Sequence, residues 1–193
     1  MPEVPKIFHF ITSAKTASAQ TAARIKRWVA KNPGWKAIVW CDPATMGANN
    51  AVLSAQNPSV EVKPIDVNAA PIPLGCCSGA DRTGFAASSE VLRYQILLKN
   101  GGCYFDSDLE PGDPLPPTLT VSADTALFAT AKPGGPRDAA VACVAGSHRI
   151  QQLGQQAVVQ CQAAAASPAP AANPSAPDAS LDRYVQAVST VAV

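Results

Sequence analysis

Residues 87–108, ASSEVLRYQILLKNGGCYFDSD, hold a helix, a stop and a short strand that ends in two carboxylates. The pattern predicts a helix from about Ala86 to Lys99, the clearest in the chain. Asn100-Gly101-Gly102 closes it, with glycine available for a left-handed C-cap. CYFD, residues 103–106, then reads as a short strand. If strand geometry continues, alternation puts Asp106 and Asp108 on one face. Two ionised carboxylates so close repel each other unless a cation is near, and removing either would relieve that repulsion. Cys103, Tyr104 and Phe105 should be buried, and PGDPLPP, residues 111–117, should be surface loop. The pair is therefore expected at the mouth of a sheet, where α/β proteins place their sites.

An Asp-x-Asp pair suits a hard divalent cation, leaving coordination positions for water and substrate phosphates. A calcium loop needs glycine at its sixth position and glutamate at its twelfth. Counted from Asp106, these positions hold Pro111 and Pro117, which excludes that reading. An aspartyl-phosphate phosphatase would carry the pair on an early strand, and here it lies past the middle of the chain. A solvated pair in a turn stays open on the pair alone. Glu90 and Arg93, three apart on the preceding helix, share a face. The glycine connection brings that helix back against the strand, so a carboxylate, a guanidinium and the aspartates can converge at one sheet edge. Glu90 and Arg93 are otherwise a surface ion pair.

Upstream, KIFHFIT (6–12) and WKAIVWCD (35–42) read as strands flanking an amphipathic helix over 17–31, with Ala23, Ile25, Val29 and Ala30 as its apolar positions. Asn32-Pro33-Gly34 stops that helix. VEVKPIDV (60–67) alternates, and Pro64 assigns it to an edge. Residues 68–84, rich in Pro and Gly, read as loop. ALFATA (126–131) and AAVACVAG (139–146) are candidate strands, and 147–162 is a candidate helix. Strands alternating with helices indicate an α/β domain. The expected organisation is one domain over 1–162, a Pro/Ala-rich loop or linker over 163–178, and a C-terminal helix over 179–193 opening at Ser180. That helix ends while still apolar, a hint of truncation.

The 193 residues suit one domain, with 47% hydrophobic and 15% charged residues and a net charge of +1. There is no basic run to suggest nucleic acid or an anionic membrane as partner. There is no apolar run long enough to span a bilayer, and MPEVPKIFHF does not read as a secretory signal. The six cysteines form neither a zinc pattern nor a disulfide framework, so buried free thiols are expected. Core packing is the expected role of Trp28, Trp35 and Trp40.

Ser88 to Asp108 resembles the DXD sugar-binding glycosyltransferases, whose signature runs Ser-Asp-x-x-Arg, Leu, Gly-Gly, Tyr and Asp-x-Asp. The family includes the large clostridial glucosylating toxins and the yeast initiation-type mannosyltransferases. PKIFHFIT is similar to its opening strand, Pro-Lys-Ile-Ile-His-x-Ile-Trp. NPGWKAIVWCD is similar to its second strand, Asn-Pro-x-Tyr/Trp followed by Leu-Trp-x-Asp. The three blocks fall in the family's order over residues 5–12, 28–42 and 87–116.

The resemblance implies a GT-A fold: a Rossmann-like nucleotide-sugar-binding α/β domain with a mixed, mostly parallel sheet. It implies a metal-dependent retaining hexosyltransferase using Mn²⁺ or Mg²⁺, a UDP- or GDP-hexose donor and a protein or glycan acceptor. By position, Asp108 would ligate the metal. Asp106 would touch the donor ribose, or the metal through water. Arg93 would bind the donor sugar or its phosphates, Tyr104 would line the donor site, and the backbone of Phe10 and Ile11 would meet the base. Two positions depart from the family. Glu90 stands for the aspartate of Ser-Asp-x-x-Arg, reaching about one methylene further, and Thr12 stands for a tryptophan that stacks on the base in the toxins. These departures motivate an alternative, a degenerate or truncated relative that binds nucleotide-sugar or glycan without turnover. Ser147-His148 loosely matches a later small-residue–His element, with a structural histidine as the competing reading. The expected location is the bacterial cytoplasm, or a host cell after delivery as an effector.

Overall fold

The computed structural model describes residues 1–12, 15–54, 57–65, 82–129 and 140–166. Among these, six strands form one sheet: β1 (Ile7–Thr12), β2 (Lys36–Cys41), β3 (Val60–Pro64), β4 (Gly102–Phe105), β5 (Leu127–Ala129) and β6 (Ala140–Cys143). Their order is β3-β2-β1-β4-β6-β5. Neighbours from β3 to β4 pair in parallel, and β6 runs against both β4 and β5. This is the mixed, mostly parallel sheet expected from the sequence. Pro64 ends β3 at the sheet edge, as a residue without a ladder donor should.

Among the same described residues four α-helices accompany the sheet: α1 (Ala19–Lys31), α2 (Met46–Leu53), α3 (Arg82–Asn100) and α4 (His148–Ala166). Strand alternation divides the core into two layers. On one face Phe8, Phe10, Cys103 and Phe105 pack with Ile25 and Trp28 of α1. On the other, Ile11, Tyr104, Val141 and Cys143 pack with Val91, Leu92 and Leu97 of α3 and Ile150 and Leu153 of α4.

Ser18 caps α1, its hydroxyl accepting the Thr21 amide at 3.0 Å. The buried stripe of α1 is Ile25 and Trp28, with Ala22 and Val29 at its margins; Ala23 and Ala30 face outward. The bulk of Trp28 sets the helix rotation, and alanine is too small to compete. Helix α3 begins at Arg82, so the expected loop over 68–84 gives way to helix over its last three residues. The rest of that loop lies largely outside the described residues. Helix α4 runs on to Ala166, four residues into the expected linker; alanine's high helix propensity carries it through 163–166. Residues 167–178 and the expected C-terminal helix lie outside the described residues.

His9 fastens the centre of the sheet. It is fully buried. Trp40 Nε1–H donates to His9 Nδ1 at 3.1 Å. Indole N–H can only donate, so the ring proton sits on Nε2, which donates to the Gly101 carbonyl at 3.0 Å. Burial lowers the His9 pKa from 6.5 to about 4, against the opposing pull of the Gly101 bond. The unfolded chain therefore takes up this proton more readily than the folded one. Stability from neutral His9 is full above pH 6.5 and is lost as pH falls toward about 4. Acidification from pH 7.5 to 4 should cost roughly 3 kcal/mol through this residue alone. Urea melts of wild type and His9→Gln at both pH values check this: the pH-dependent loss should be smaller by that amount in the variant.

The free thiols Cys41, Cys103 and Cys143 are buried as expected. Burial pushes Cys103 and Cys143 up to about 12, which keeps both protonated and inert. Cys76 and Cys77, and the Cys161 side chain, lie outside the described residues. Trp28 and Trp35 sit in the core, with Phe8 stacked on Trp35 at 4.6 Å.

Candidate active site

The chain runs outward from β1 through β2 to β3, then returns to lay β4 on the other side of β1. In open α/β sheets this reversal opens a crevice beyond the carboxyl ends of the two strands. Here that position lies past Thr12 of β1 and Phe105 of β4.

Strand β4 stops at Phe105, so Asp106 and Asp108 do not continue the pleat as the sequence suggested. They belong to a turn in which the Leu109 amide donates to the Asp106 carbonyl at 3.0 Å. A turn rather than a strand separates the two carboxylates by role. Asp106 is half-buried, and its Oδ1 accepts from the Tyr104 hydroxyl at 3.2 Å. Arg93 faces the same oxygen across an ion pair of 3.5 Å. The Arg93 guanidinium also lies over the Tyr104 ring, 4.7 Å from its centroid, a cation–π arrangement. Arg93 is 3% exposed, so this cation is held out of bulk water beside an anion and an aromatic face. Asp108 is exposed and makes no hydrogen bond or ion pair with the described residues.

Three of the residues singled out in the sequence, Arg93, Tyr104 and Asp106, thus meet in one contact. Asp108 stands beside them in the same turn. Glu90 is a backbone position in α3, and its side chain lies outside what is described. The Phe10 and Ile11 side chains are buried on opposite faces of β1, which leaves only backbone to meet a ligand. Thr12, the last residue of β1, is 8% exposed.

His148 is exposed and bonds Asp124 at 2.9 Å, not either aspartate of the turn. Buried Ser147 immediately precedes α4, its hydroxyl accepting the Ile150 amide at 3.4 Å. Among the described residues no three His, Cys, Asp or Glu side chains cluster as a metal site. The turn offers two carboxylates, one of them uncommitted. Such a set fits a hard cation that keeps water or phosphate oxygens in its other positions.

Sequence reasoning missed the grip of α1 on this turn. Arg24 and Arg27, outside the apolar positions expected for this helix, both bind Glu110, at 2.9 and 2.7 Å, and hold its carboxyl below the usual carboxylate range. The only available signal was an acidic residue two places past the Asp-x-Asp pair.

Comparison with solved structures finds PaToxG Glycosyltransferase, with a TM-score of 0.68, 17% identity, and coverage of 97% of this chain and 70% of that one. At that identity the likeness shows the fold, that of a GT-A glycosyltransferase. A curated relative is "Subversion of eukaryotic traffic protein A" of Legionella pneumophila subsp. pneumophila, 27% identical over 124 residues. The match takes in 59% of this chain and only 18% of that protein's length. No helix among the described residues is long and apolar enough to cross a membrane. The model of the glycosyltransferase sugar-binding region containing the DXD motif matches residues 18–125, more than half of the chain, and the chain belongs to that family.

Proposed function

We propose that the chain transfers a hexose from UDP- or GDP-hexose to a protein or glycan acceptor, with a divalent cation, Mn²⁺ or Mg²⁺, held at the 106–108 turn. One observation carries this reading: at the carboxyl ends of β1 and β4, Asp106 is locked by Arg93 and Tyr104 while Asp108 is exposed and makes no hydrogen bond or ion pair with the described residues. An exposed, uncommitted carboxylate beside a half-buried one has little value for stability. As a ligand pair it has a clear use.

The cation would supply electrostatic stabilisation of the departing diphosphate. Asp108 would bind it directly, with Asp106 on the donor ribose or reaching the cation through water. Arg93, fixed over Tyr104, would offer positive charge toward the donor phosphates or sugar, and Tyr104 would line the donor site. Glu90 would position the sugar where the family has aspartate. The backbone of Phe10 and Ile11 would meet the base. In the transfer, the bond from the anomeric carbon to the diphosphate oxygen breaks and a bond to the acceptor oxygen forms. The acceptor hydroxyl proton leaves, and the anomeric configuration is retained.

A second reading, binding without turnover, is favoured by Thr12 and Glu90, the two departures from the family's pattern. The name of the Legionella relative speaks of eukaryotic traffic, which supports delivery as an effector over action in the bacterial cytoplasm. The deciding experiment incubates the protein with a panel of UDP- and GDP-hexoses, Mn²⁺ and acceptor lysate, following free nucleoside diphosphate and the mass of acceptors. Diphosphate release with a hexose added to an acceptor is expected. Mn²⁺-dependent binding without release would establish the second reading, and absence of both would overturn the site.

A further inference from the structure

Helix α1 holds the turn at alternate positions. The Trp28 ring stacks on Phe105, 4.1 Å between centroids at 28°. Its Nε1–H donates to the Leu109 carbonyl at 3.0 Å, so one side chain grips both ends of the turn. One helical turn earlier, Arg24 Nη1 donates to the Ser107 carbonyl at 3.1 Å, midway between the aspartates. Arg24 Nε and Arg27 converge on Glu110 just beyond. Positions 105, 107 and 109 are thus fixed from one side of the sheet. Arg93 and Tyr104 fix Asp106 from the other. The Asp108 side chain makes no hydrogen bond or ion pair with the described residues, so its place is set by its neighbours' main chain.

Resting on the metal-site reading above, we propose that Arg24 and Trp28 are positioning residues that hold Asp108 in place as a ligand for the cation. Both hydrogen bonds end on main-chain carbonyls, so they orient the backbone whatever side chain stands at 107. Trp28 is anchored in the core, and the Arg24 side chain is only 12% exposed, which shields its bond from competing water. A ligand displaced by about half an ångström loses productive geometry.

The test titrates Mn²⁺ into the full chain with UDP present, and follows amide hydrogen exchange over residues 107–110 without metal. Trp28→Phe keeps the ring on Phe105 and deletes the N–H; Arg24→Met deletes the carbonyl contact. Each should bind Mn²⁺ about tenfold more weakly, the lower end of what outer partners of metal ligands contribute. Each should also speed exchange in the turn. Arg24→Lys, which keeps a donor and the charge but not the fork that reaches both Ser107 and Glu110, should fall between wild type and Arg24→Met. Arg27→Met, which leaves the Ser107 contact, should match wild type. If Arg24→Met does not fold, Trp28→Phe decides alone. Wild-type Mn²⁺ affinity in the folded variants would overturn the inference and leave the metal site standing. A wild type without Mn²⁺ binding at this turn would overturn the metal site, and the inference with it.

Discussion

Asp108→Asn should lower donor turnover by about 10²–10³-fold, the loss typical when a transition-state charge loses its stabiliser, while the thermal midpoint stays near wild type. The side chain is exposed and makes no hydrogen bond or ion pair with the described residues, so the folded state should lose little by the change. Asparagine keeps the shape and removes the charge that would hold a hard cation. Asp106→Asn makes the contrast. Read as sequence, both aspartates were crowded anions whose removal relieves repulsion. In the structure Asp106 is the carboxylate facing the buried Arg93 guanidinium, so its loss should cost stability as well as activity. Nucleoside diphosphate release with saturating donor, run beside differential scanning fluorimetry, separates the two variants. An Asp108→Asn protein with wild-type turnover in Mn²⁺ would exclude the metal assignment.

The fold was legible because three of its four parallel strands are written as short apolar runs and the fourth, β3, as an alternating edge, while Gly101-Gly102 marks where α3 hands over to β4. The position of the candidate site was legible for the same reason: carboxylates directly after a buried strand must lie at its carboxyl end. The division of labour between those carboxylates was not. It depends on β4 stopping at Phe105 and on a tyrosine two residues before Asp106 turning its hydroxyl onto it. A period-two pattern cannot announce where the strand ends. The α1 contacts were equally hidden, since Arg24 and Ser107 are 83 residues apart and a basic helix face reads as solvated until its acceptor carbonyls are placed. Helix α2 went unread because MGANNAVL carries no amphipathic stripe; its Asn49, fully buried, is held through hydrogen bonds to Ala17 and Thr45.

Gly102→Ala should destabilise the protein by roughly 3–5 kcal/mol, combining the cost of a left-handed residue with that of overpacking. Gly102 has φ +93°, a conformation that L side chains rarely adopt. A Cβ there would lie 2.6 Å from the Ile7 carbonyl oxygen and 3.1 Å from His9 Nε2. The first of these is backbone of the central strand and cannot swing aside. To admit a methyl group, β1 and β4 must separate where they pair, Phe8 against Cys103. The same movement pulls Gly101 from His9, whose Nε2–H would lose its acceptor. A loss of that size is a large share of the about 5–15 kcal/mol that holds a domain together. Because Asp106 follows β4 directly, the surviving folded fraction should also bind donor poorly. Gly112→Ala supplies the control, since a Cβ there meets nothing within 4 Å, and its urea midpoint should match wild type. If the two alanine variants melt within about 1 kcal/mol of each other, the close approach of β4 to β1 is not what requires glycine at 102. If Gly102→Ala is destabilised as expected while Gly112→Ala is not, the paired glycines of the family's motif have a physical reason. They let β4 lie against β1 tightly enough to bring the turn that follows it, with Asp106 and Asp108, to the carboxyl end of β1.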